Sequence, residues 1–488
     1  MAQVNKESLE KFINKNLKDR VFFIVTNREP YAHIHTLDGI ELTKPSGGVH
    51  TLLNIVAKAS HGYYVAFGHG SADKEVVDKD DIVKMPPREK LYSLKRVFLS
   101  KKELENYYYG FANQMLWPLS HAVFVKPEFN PAWWEGYQKV NQKFAQAILD
   151  VLGDRKGFIW VNDYHFSLLP KLLRESGKDL KIGTFWHIPW PTYEIFRVNP
   201  WAKEILAGLL GGDFLAFHQG YQVENFLHCI QREIPAKIEF DLSRVTFNDH
   251  ETRVEALSAG LDYDEILEIR NKTRQSRETF MKNELGFKVE YMAIGVDRMD
   301  YTKGLIERLK MVDRFLEKYP QFIEKFVYFG ISPFTRLHIP AYRSYSKVIV
   351  DLAEKINWKY YRNNWTPIVI KTDSLARDKI IAYYKFANTC LVTALDDGLN
   401  LVAKEFVLSC KADKGMLVLS KFTGAAKDLR QAILINPYNI EEGADAIYKA
   451  LTMTAQEKKQ RNQKMREELK RRNIYSWAIE FINKTLYD

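Results

Sequence analysis

The chain has 488 residues, which is too long for one hydrophobic core and predicts two domains of roughly 200–250 residues. Hydrophobic residues make up 46% of it and charged residues 27%, as in ordinary globular proteins, and neither a membrane-spanning run nor a signal peptide is recognisable. The net charge of +10 is dispersed among 61 acids, which argues against a nucleic-acid binder, and three separated cysteines argue against disulfides or a zinc site and favour the cytoplasm.

Short apolar runs alternate with longer amphipathic helices along the chain. The predicted strands are VFFIVT, GYYVAFG, RVFLS, GFIWVN, KIGTFWHI and FLAFH, followed by VEYMAIGV, KFVYFGI, PIVIKT, TCLVTAL, GMLVLS and AILIN. Their continuous apolar character is typical of strands buried on both faces of a parallel sheet. The alternation predicts two doubly wound α/β domains, residues 1–262 and 263–488, joined near residues 258–272. We expect the last helix, at about residues 474–488, to pack back on the first domain.

Polar residues follow the first strand, where ligands of an open α/β sheet bind. Arg28 follows VFFIVT, and Gly47 and Gly48 then open a predicted helix. Paired glycines allow a ligand to approach the backbone, and a helix N-terminus carries partial positive charge. The alternative is that Arg28 pairs with a nearby acid and the glycines form only a turn.

Two later strands of the first half also end in polar residues. Asp163 and His165 follow GFIWVN, and His187 ends KIGTFW before two prolines. Together they indicate a polar site for a hydroxylated ligand, although each alone fits a structural role. In the aromatic segment LENYYYGFANQMLWPLSH, Tyr108 and Trp117 could donate hydrogen bonds to a sugar or a phosphate, or simply belong to the core.

The stretch IGVDRMDYTKG places two cations after a strand of the second half. Arg298 and Lys303 lie in the predicted loop, and Gly304 begins the helix that follows. Two fixed cations and a helix N-terminus suit a diphosphate. Ordinary salt bridges to Asp297 or Asp300 are the alternative.

The stretch TALDDGLNLVAKEFVLSC predicts a strand, a tight turn and a helix. The turn presents backbone N–H groups that suit a phosphate. Asp397 could accept hydrogen bonds from sugar hydroxyls, and Glu405, two turns into the helix, could bind the two hydroxyls of a ribose.

The chain resembles the retaining glycosyltransferases of the trehalose-6-phosphate synthase type, family 20. The motifs that carry the resemblance occur in family order: TNR, SGG, YYGFANQMLWPLSH, WVNDYH, HIPWPTYEIFR, GVDRMDYTKGLIERL, SPFTR and DDGLNLVAKEF. The resemblance implies a GT-B fold, in which two Rossmann-like domains with parallel sheets face across a cleft. It implies transfer of glucose from a nucleotide-glucose, expected to be UDP-glucose, to glucose 6-phosphate, giving α,α-trehalose 6-phosphate without a metal or other cofactor.

The resemblance also implies roles for individual residues and domains. The first domain would bind the acceptor and the second the nucleotide sugar. The implied catalytic residues are Asp163, His187, Arg298 and Lys303. The implied donor-binding residues are Gly48, His187, Arg298, Lys303, Asp397, Gly398, Leu399, Asn400, Leu401 and Glu405. The implied acceptor-binding residues are Arg28, Tyr108, Trp117, Asp163 and Arg336.

Three residues depart from the family pattern near the expected sugar sites: Glu29 in NREP, His69 in FGHGS, and Asp396 before Asp397. They leave open a glucosylglycerol-phosphate synthase or another sugar-phosphate or cyclitol transferase on the same scaffold. A non-catalytic sugar-phosphate sensor is the non-enzyme alternative. The nucleotide base of the donor and the oligomeric state stay open, with a homo-oligomer as one alternative, and no nucleic-acid or membrane partner is expected.

Overall fold

The computed structural model describes residues 4–44 and 48–487. The chain forms two compact units, one made of Met1–Gly260 with Ile474–Asp488 and the other of Leu261–Asn473. Each unit contains its own parallel-rich sheet. Over the described ranges, no helix is both long and apolar enough to cross a membrane.

The first unit is built on one large sheet. Its strands are β1 (Arg20–Arg28), β2 (Ala32–Thr36), β3 (Gly39–Thr43), β4 (Tyr63–Phe67), β5 (Ile82–Met85), β6 (Tyr92–Val97), β7 (Lys156–Asn162), β8 (Leu180–Phe185), β9 (Phe214–Phe217), β10 (Lys237–Glu239), β11 (Arg244–Phe247) and β12 (His250–Ala256). Ten of them form a sheet in the order β10-β11-β12-β9-β8-β7-β1-β4-β6-β5, while β2 and β3 form a separate hairpin. The strands from β12 to β6 run parallel, and β5, β11 and β10 are antiparallel additions at the edges.

The predicted apolar runs form β1, β4, β7, β8 and β9 because both faces of the sheet are covered there, whereas the run RVFLS overlaps only the end of β6, and the hairpin and edge strands were not predicted. Phe22 on β1 lies opposite Phe158 on β7, and their rings stack with centroids 5.0 Å apart. From β1 the chain adds β4 and β6 on one side and then β7, β8 and β9 on the other. The order therefore reverses between β1 and β7, which creates the crevice where ligands of doubly wound sheets bind.

Helices follow most of these strands. The α-helices are α1 (Lys6–Asn16), α2 (Gly48–Ser60), α3 (Lys101–Leu104), α4 (Trp117–Ser120), α5 (Pro131–Leu152), α6 (Leu169–Arg174), α7 (Tyr193–Phe196), α8 (Ala202–Leu209) and α9 (Gly220–Glu233). A π-helix spans Glu105–Leu116, and 3₁₀ turns span Tyr164–Phe166 and Phe240–Leu242. The predicted helix after the paired glycines is present from Gly48, whereas Gly47 lies outside the described residues.

The second unit contains a smaller sheet that is entirely parallel. Its strands are β13 (Tyr291–Val296), β14 (Phe326–Ile331), β15 (Ile368–Lys371), β16 (Thr389–Val392), β17 (Met416–Ser420) and β18 (Ile433–Ile435). Their order is β15-β14-β13-β16-β17-β18, which is the 3-2-1-4-5-6 order of Rossmann folds. The reversal lies between β13 and β16, so the loops after these two strands meet at the ligand-binding crevice.

The helices of the second unit cover both faces of this sheet. They are α10 (Tyr263–Lys272), α11 (Arg277–Phe280), α12 (Leu305–Lys318), α13 (Pro340–Tyr360), α14 (Arg377–Tyr384), α15 (Leu401–Ser409), α16 (Ala425–Asp428), α17 (Ile440–Thr452) and α18 (Ala455–Arg471). A π-helix spans Met281–Leu285, and 3₁₀ turns span Tyr301–Lys303 and Pro320–Phe322. The helices predicted after IGVDRMDYTKG and DDGLN are confirmed as α12 and α15.

The last helix, α19 (Ile474–Tyr487), belongs to the core of the first unit. Phe481 stacks on Trp160 of β7 with ring centroids 4.1 Å apart, and Trp477 packs edge-on against Phe185 of β8. An added Cβ on Gly183 of β8 would lie less than 3.0 Å from this helix, so the glycine allows the close approach. The helix thus covers one face of the parallel strands.

Candidate active site

Lys303 is positioned by a tight turn between β13 and α12. Asp300 caps the 3₁₀ turn, since its Oδ1 accepts hydrogen bonds from the backbone N–H and the hydroxyl of Thr302 at 3.1 and 3.0 Å. Gly304 then takes a left-handed conformation with φ +61°. A Cβ at Gly304 would come less than 3.0 Å from the carbonyl oxygen of Thr393, so this turn requires glycine.

Lys303 and Asp397 meet across the crevice of the second sheet. Lys303 Nζ donates to Asp397 Oδ2 at 2.7 Å, and both side chains are largely buried. Asp397 also accepts hydrogen bonds from the Leu399 N–H at 3.2 Å and from Asn400 Nδ2 at 3.1 Å. Burial alone would raise the pKa of Asp397, but Lys303 and these hydrogen bonds outweigh it and hold the pKa below its ordinary value. The pair is therefore ionised, and it places one cation and one hydrogen-bond acceptor in the crevice.

Arg298 contributes a second cation to the same loop. Its side chain is half-buried, and within the described ranges no carboxylate lies within 4.0 Å of its guanidinium. The alternative of salt bridges from Arg298 or Lys303 to Asp297 is wrong, because Asp297 is paired with the buried Arg308, whose Nη2 donates to Oδ2 at 2.5 Å. Arg298 thus forms no direct ion pair with a carboxylate of the described residues, although its charge helps to lower the pKa of Asp300.

Arg336 reaches the same loop of the second unit. Its Nη1 donates to the Tyr342 hydroxyl at 2.6 Å and lies 3.7 Å from Asp300 Oδ2. Burial would raise the pKa of Asp300, but Arg336, Arg298 and Lys303 together hold it below its ordinary value. Asp300 is thus a fixed negative charge that orders the surrounding cations. It forms no ion pair within 4.0 Å with Arg298 or Lys303 among the residues described.

The turn after β16 leads directly into α15. Asn400 has φ +68° and caps the helix, because its Oδ1 accepts the Ala403 N–H at 3.0 Å. Gly398 and Leu399 lie in the turn, and Leu401 begins the helix. The N-terminus of α15 therefore opens beside Asp397 and carries the partial positive charge of a helix start.

Glu405 lies in a separate cluster of the second unit. Arg377, at the start of α14, donates from Nε to Glu405 Oε1 at 2.9 Å and from Nη1 to Glu265 Oε2 at 2.8 Å. Burial raises the pKa of Glu405, and Arg377 opposes that rise. The carboxylate is thus held by a guanidinium instead of joining the Lys303–Asp397 pair.

In the first unit, Arg28 is brought together with the π-helix. The Arg28 Nη2 lies 3.4 Å from the Tyr108 hydroxyl, and the neighbouring Tyr107 donates to Asn27 Oδ1 at 3.0 Å. Among the described residues Arg28 has no carboxylate within 4.0 Å, so the alternative of a local ion pair is wrong. π-Helices are rare, and the single-turn π-bulges in which they mostly occur are frequent at functional sites. Here the π-helix places a phenol beside an exposed arginine.

Trp117 follows the π-helix as the first residue of α4 and packs on the turn after β7. Its ring centroid is 5.7 Å from that of Tyr164, whose hydroxyl donates to Asn113 Oδ1 at 3.0 Å. His165 stacks on Tyr108 at 5.8 Å. The aromatic segment and the WVNDYH motif therefore form one wall.

Asp163, at the reversal point of the first sheet, is held in a strained conformation. Its φ of +74° and ψ of +171° lie in a region that residues other than glycine rarely occupy, at a cost of roughly 1–3 kcal/mol. Its Oδ1 accepts the backbone N–H of His187 at 3.2 Å. Such strain concentrates at ligand-binding positions.

His187 is buried in a hydrogen-bonded network with Asn162 and His218. Its Nε2 lies 3.2 Å from Asn162 Oδ1, and its Nδ1 lies 3.2 Å from His218 Nε2. Asn162 Oδ1 can only accept, which places the proton of His187 on Nε2. Burial and the neighbouring His218 hold the pKa of His187 well below its ordinary value. A sugar hydroxyl that bound the ring would have to replace one of these partners.

Two of the three departures from the family pattern belong to one ion network, which is buried apart from His69. Glu29 is fully buried and accepts from Arg96 Nε at 2.8 Å, while His69 Nδ1 lies 3.1 Å from its other oxygen. Arg96 also pairs with Asp73 at 2.7 Å. Glu29, His69 and Asp73 present three possible metal-ligand atoms within 4.8 Å of one another, but Arg96 already supplies positive charge there. The third departure, Asp396, is buried beside Asp397.

Sequence reasoning missed three arginines that hold these sites: Arg96, Arg308 and Arg377. Arg96 and Arg308 are fully buried, and each is a charge within an apolar pattern. Arg308 lies on the apolar face of α12, three residues after Leu305, and Arg96 begins the apolar run RVFLS. The sequence signal that could have revealed Arg96 and Arg308 was a cation at a position where the apolar pattern predicts a core residue. Arg377 gave no such signal.

Comparisons with known proteins identify the family of the chain. The sequence model of glycosyltransferase family 20 matches residues 20–487. The chain is similar to the trehalose-6-phosphate synthase of Mycobacterium leprae, with 35% identity over 96% of this chain and 95% of that protein.

Solved structures resemble it over almost their whole length. A structure from E. coli bound with UDP-2-fluoro glucose has 31% identity and a TM-score of 0.85, covering 96% of this chain and 99% of that one. A UDP-forming α,α-trehalose-phosphate synthase from Burkholderia xenovorans, in complex with glucose 6-phosphate, has 28% identity and a TM-score of 0.85, covering 95% and 99%. The predicted α/β class with two Rossmann-like domains is confirmed. The chain belongs to glycosyltransferase family 20.

Proposed function

We propose that the chain transfers glucose from UDP-glucose to glucose 6-phosphate with retention, giving α,α-trehalose 6-phosphate and UDP. The observation that carries the proposal is the cation pair Arg298 and Lys303 at the reversal point of the second sheet. A diphosphate needs two fixed positive charges, and this crevice is where Rossmann folds bind nucleotides. The names of the similar proteins supply the two sugars.

We assign the donor to the second unit. Arg298 and Lys303 bind the diphosphate, and the turn Gly398–Leu401 with the N-terminus of α15 faces the phosphate and the hexose. Lys303 donates to Asp397, so a bound diphosphate would share Lys303 with it. Asp397 is then able to accept a hydrogen bond from a donor hydroxyl, and Glu405 binds the ribose.

We assign the acceptor chiefly to the first unit. Arg28, Tyr108 and Trp117 form a basic, aromatic wall that suits a sugar phosphate, and Asp163 accepts from its hydroxyls. Arg336 of the second unit supplies a further cation for that phosphate. Gly48 and His187 complete the donor contacts that the family motifs imply.

The chemistry follows from this charge arrangement. The anomeric hydroxyl of glucose 6-phosphate attacks the anomeric carbon of the donor on the face from which the diphosphate leaves. The glycosidic bond forms as the carbon–oxygen bond to UDP breaks, and the departing phosphate oxygen takes the acceptor proton. Lys303, Arg298 and the α15 N-terminus stabilise the negative charge that develops on UDP. Such preorganised donors contribute roughly 3–4 kcal/mol each to lowering a barrier.

The three cysteines are buried and unpaired, which supports a cytoplasmic location.

The test is product detection by mass spectrometry. Purified protein would receive UDP-, GDP- or ADP-glucose together with glucose 6-phosphate or glycerol 3-phosphate. We expect a phosphorylated non-reducing disaccharide from UDP-glucose and glucose 6-phosphate. Product from glycerol 3-phosphate alone would show that Glu29, His69 and Asp396 mark a changed acceptor. Tight nucleotide binding without product from any pair would instead support a sensor.

A further inference from the structure

Glu405 is one end of a chain of three charged residues that links three helices. Arg377 of α14 binds Glu405 of α15 through Nε and Glu265 of α10 through Nη1, at 2.9 and 2.8 Å. The two contacts use separate edges of one planar guanidinium. Arginine fixes its partners more rigidly than lysine can, because its donors lie in a fixed fork.

The arrangement leaves half of the Glu405 carboxylate open. Arg377 contacts Oε1, and Oε2 has no hydrogen-bond partner among residues 4–44 and 48–487. The Glu405 side chain is 16% exposed and that of Arg377 is 27% exposed. A carboxylate so enclosed needs a nearby cation to remain ionised and a fixed contact to keep one rotamer. Arg377 meets both needs, while Glu265, which is 41% exposed, orients Arg377 from the far side.

We propose that Arg377 is a positioning residue for the donor ribose: it holds the Glu405 carboxylate in one orientation, so that the carboxylate accepts the ribose hydroxyls. The proposal rests on the proposed function, in which Glu405 binds the ribose. Arg377 itself need not touch the nucleotide. Its effect should therefore appear in how well the site distinguishes a ribose from a deoxyribose, and hardly in the chemical step.

The proposal is tested by measuring the binding of UDP and of 2′-deoxy-UDP to the full chain by calorimetry. A hydrogen bond to a charged group corresponds to roughly a tenfold or larger change in affinity, so the unsubstituted chain should prefer UDP by about tenfold or more. In Arg377→Met that preference should fall to about threefold or less. The KM for UDP-glucose should rise about tenfold while kcat changes by less than about threefold, because Arg298 and Lys303 are untouched.

Three further variants separate positioning from simple destabilisation. Arg377→Lys keeps the positive charge but loses the planar set of donors of the guanidinium. Its preference for UDP over 2′-deoxy-UDP should therefore lie between those of the unsubstituted chain and Arg377→Met. This variant tests the proposal even if Arg377→Met folds poorly. Glu265→Gln should reduce the preference by no more than about twofold to threefold, since Arg377 keeps its contact with Glu405. Arg314→Met is the matched control, because it removes a guanidinium from the surface pairs with Glu317 and Glu441. Arg314→Met should change neither the preference for UDP over 2′-deoxy-UDP nor the KM for UDP-glucose.

Two results would overturn the proposal. One is an Arg377→Met variant that keeps the full preference for UDP while both affinities fall together, because that pattern reports a structural role. The other is an unsubstituted chain that does not distinguish ribose from deoxyribose. Failure of the proposed function would look different: no disaccharide phosphate would form from UDP-glucose and glucose 6-phosphate, whatever the nucleotide preference.

Discussion

Replacing Gly304 by alanine tests whether the turn after β13 positions Lys303. Gly304 has φ +61°, and a left-handed backbone costs alanine about 1–2 kcal/mol. Its added Cβ would also overlap the carbonyl oxygen of Thr393, and overpacking of this kind costs typically about 1–3 kcal/mol. We therefore expect the free energy of unfolding to fall by about 2–5 kcal/mol. The Gly304 carbonyl accepts from the Thr393 hydroxyl at 2.9 Å, so relief of the clash should also displace the neighbouring Lys303.

The assay combines urea denaturation with UDP binding by calorimetry. Gly286→Ala is the matched control, because Gly286 lies in the same unit with φ +81° and no atom within 4 Å of an added Cβ. It should lose only the backbone contribution of about 1–2 kcal/mol and bind UDP normally. Gly304→Ala should weaken UDP binding by about tenfold or more, the effect of losing one charged contact. Equal stability and equal UDP affinity in the two variants would refute the argument that the close approach to Thr393 requires glycine.

Four other changes give distinct outcomes. Lys303→Met should lower kcat by about 100-fold or more, as for loss of one preorganised donor, measured by UDP release. Arg336→Ala should raise the KM for glucose 6-phosphate far more than the KM for UDP-glucose, because we assign it to the acceptor phosphate. Phe481→Ala should lower the free energy of unfolding by about 3–5 kcal/mol in chemical denaturation, since the ring is fully buried on Trp160. His187 has a folded-state pKa below its ordinary 6.5, so the unfolded state binds the extra proton as the pH falls below about 6.5. Stability should therefore decline there by up to about 1.4 kcal/mol per pH unit, and His187→Gln should flatten the slope.

Each of these outcomes has a control or a result that would contradict it. Lys310→Met, on the exposed side of α12, should leave kcat unchanged, and an equal loss in both lysine variants would show a general effect of charge. Equal rises in the two KM values for Arg336→Ala would remove it from the acceptor site. Glu480→Ala, on the exposed face of α19, should change the unfolding free energy by less than about 0.5 kcal/mol. An unchanged pH slope in His187→Gln would show that other groups titrate.

The sequence was sufficient for the central parallel strands β1, β4, β7 to β9 and β13 to β18 and for the main helices, but it missed β2, β3, β5 and β10 to β12 and placed the run of β6 too late. Continuous apolar runs predicted the parallel strands because both faces of each sheet are buried. Because ligands bind at the carboxyl ends of strands, the sequence then predicted that Arg28, Asp163, Lys303 and Asp397 are site residues. These residues flank the reversal points of the two sheets, because the order of strands along the chain dictates that geometry.

Only the tertiary structure decided which charges meet. Lys303 and Asp397 are 94 residues apart in the chain, and Glu29 and Arg96 are 67 apart. The local pattern left Asp297 or Asp300 as alternative partners for the cations after β13, whereas the fold pairs Asp297 with Arg308. The reason is physical. Periodicity in a sequence shows which side chains of a segment are buried. The partner of a buried charge depends instead on strand order and on helix packing between distant segments.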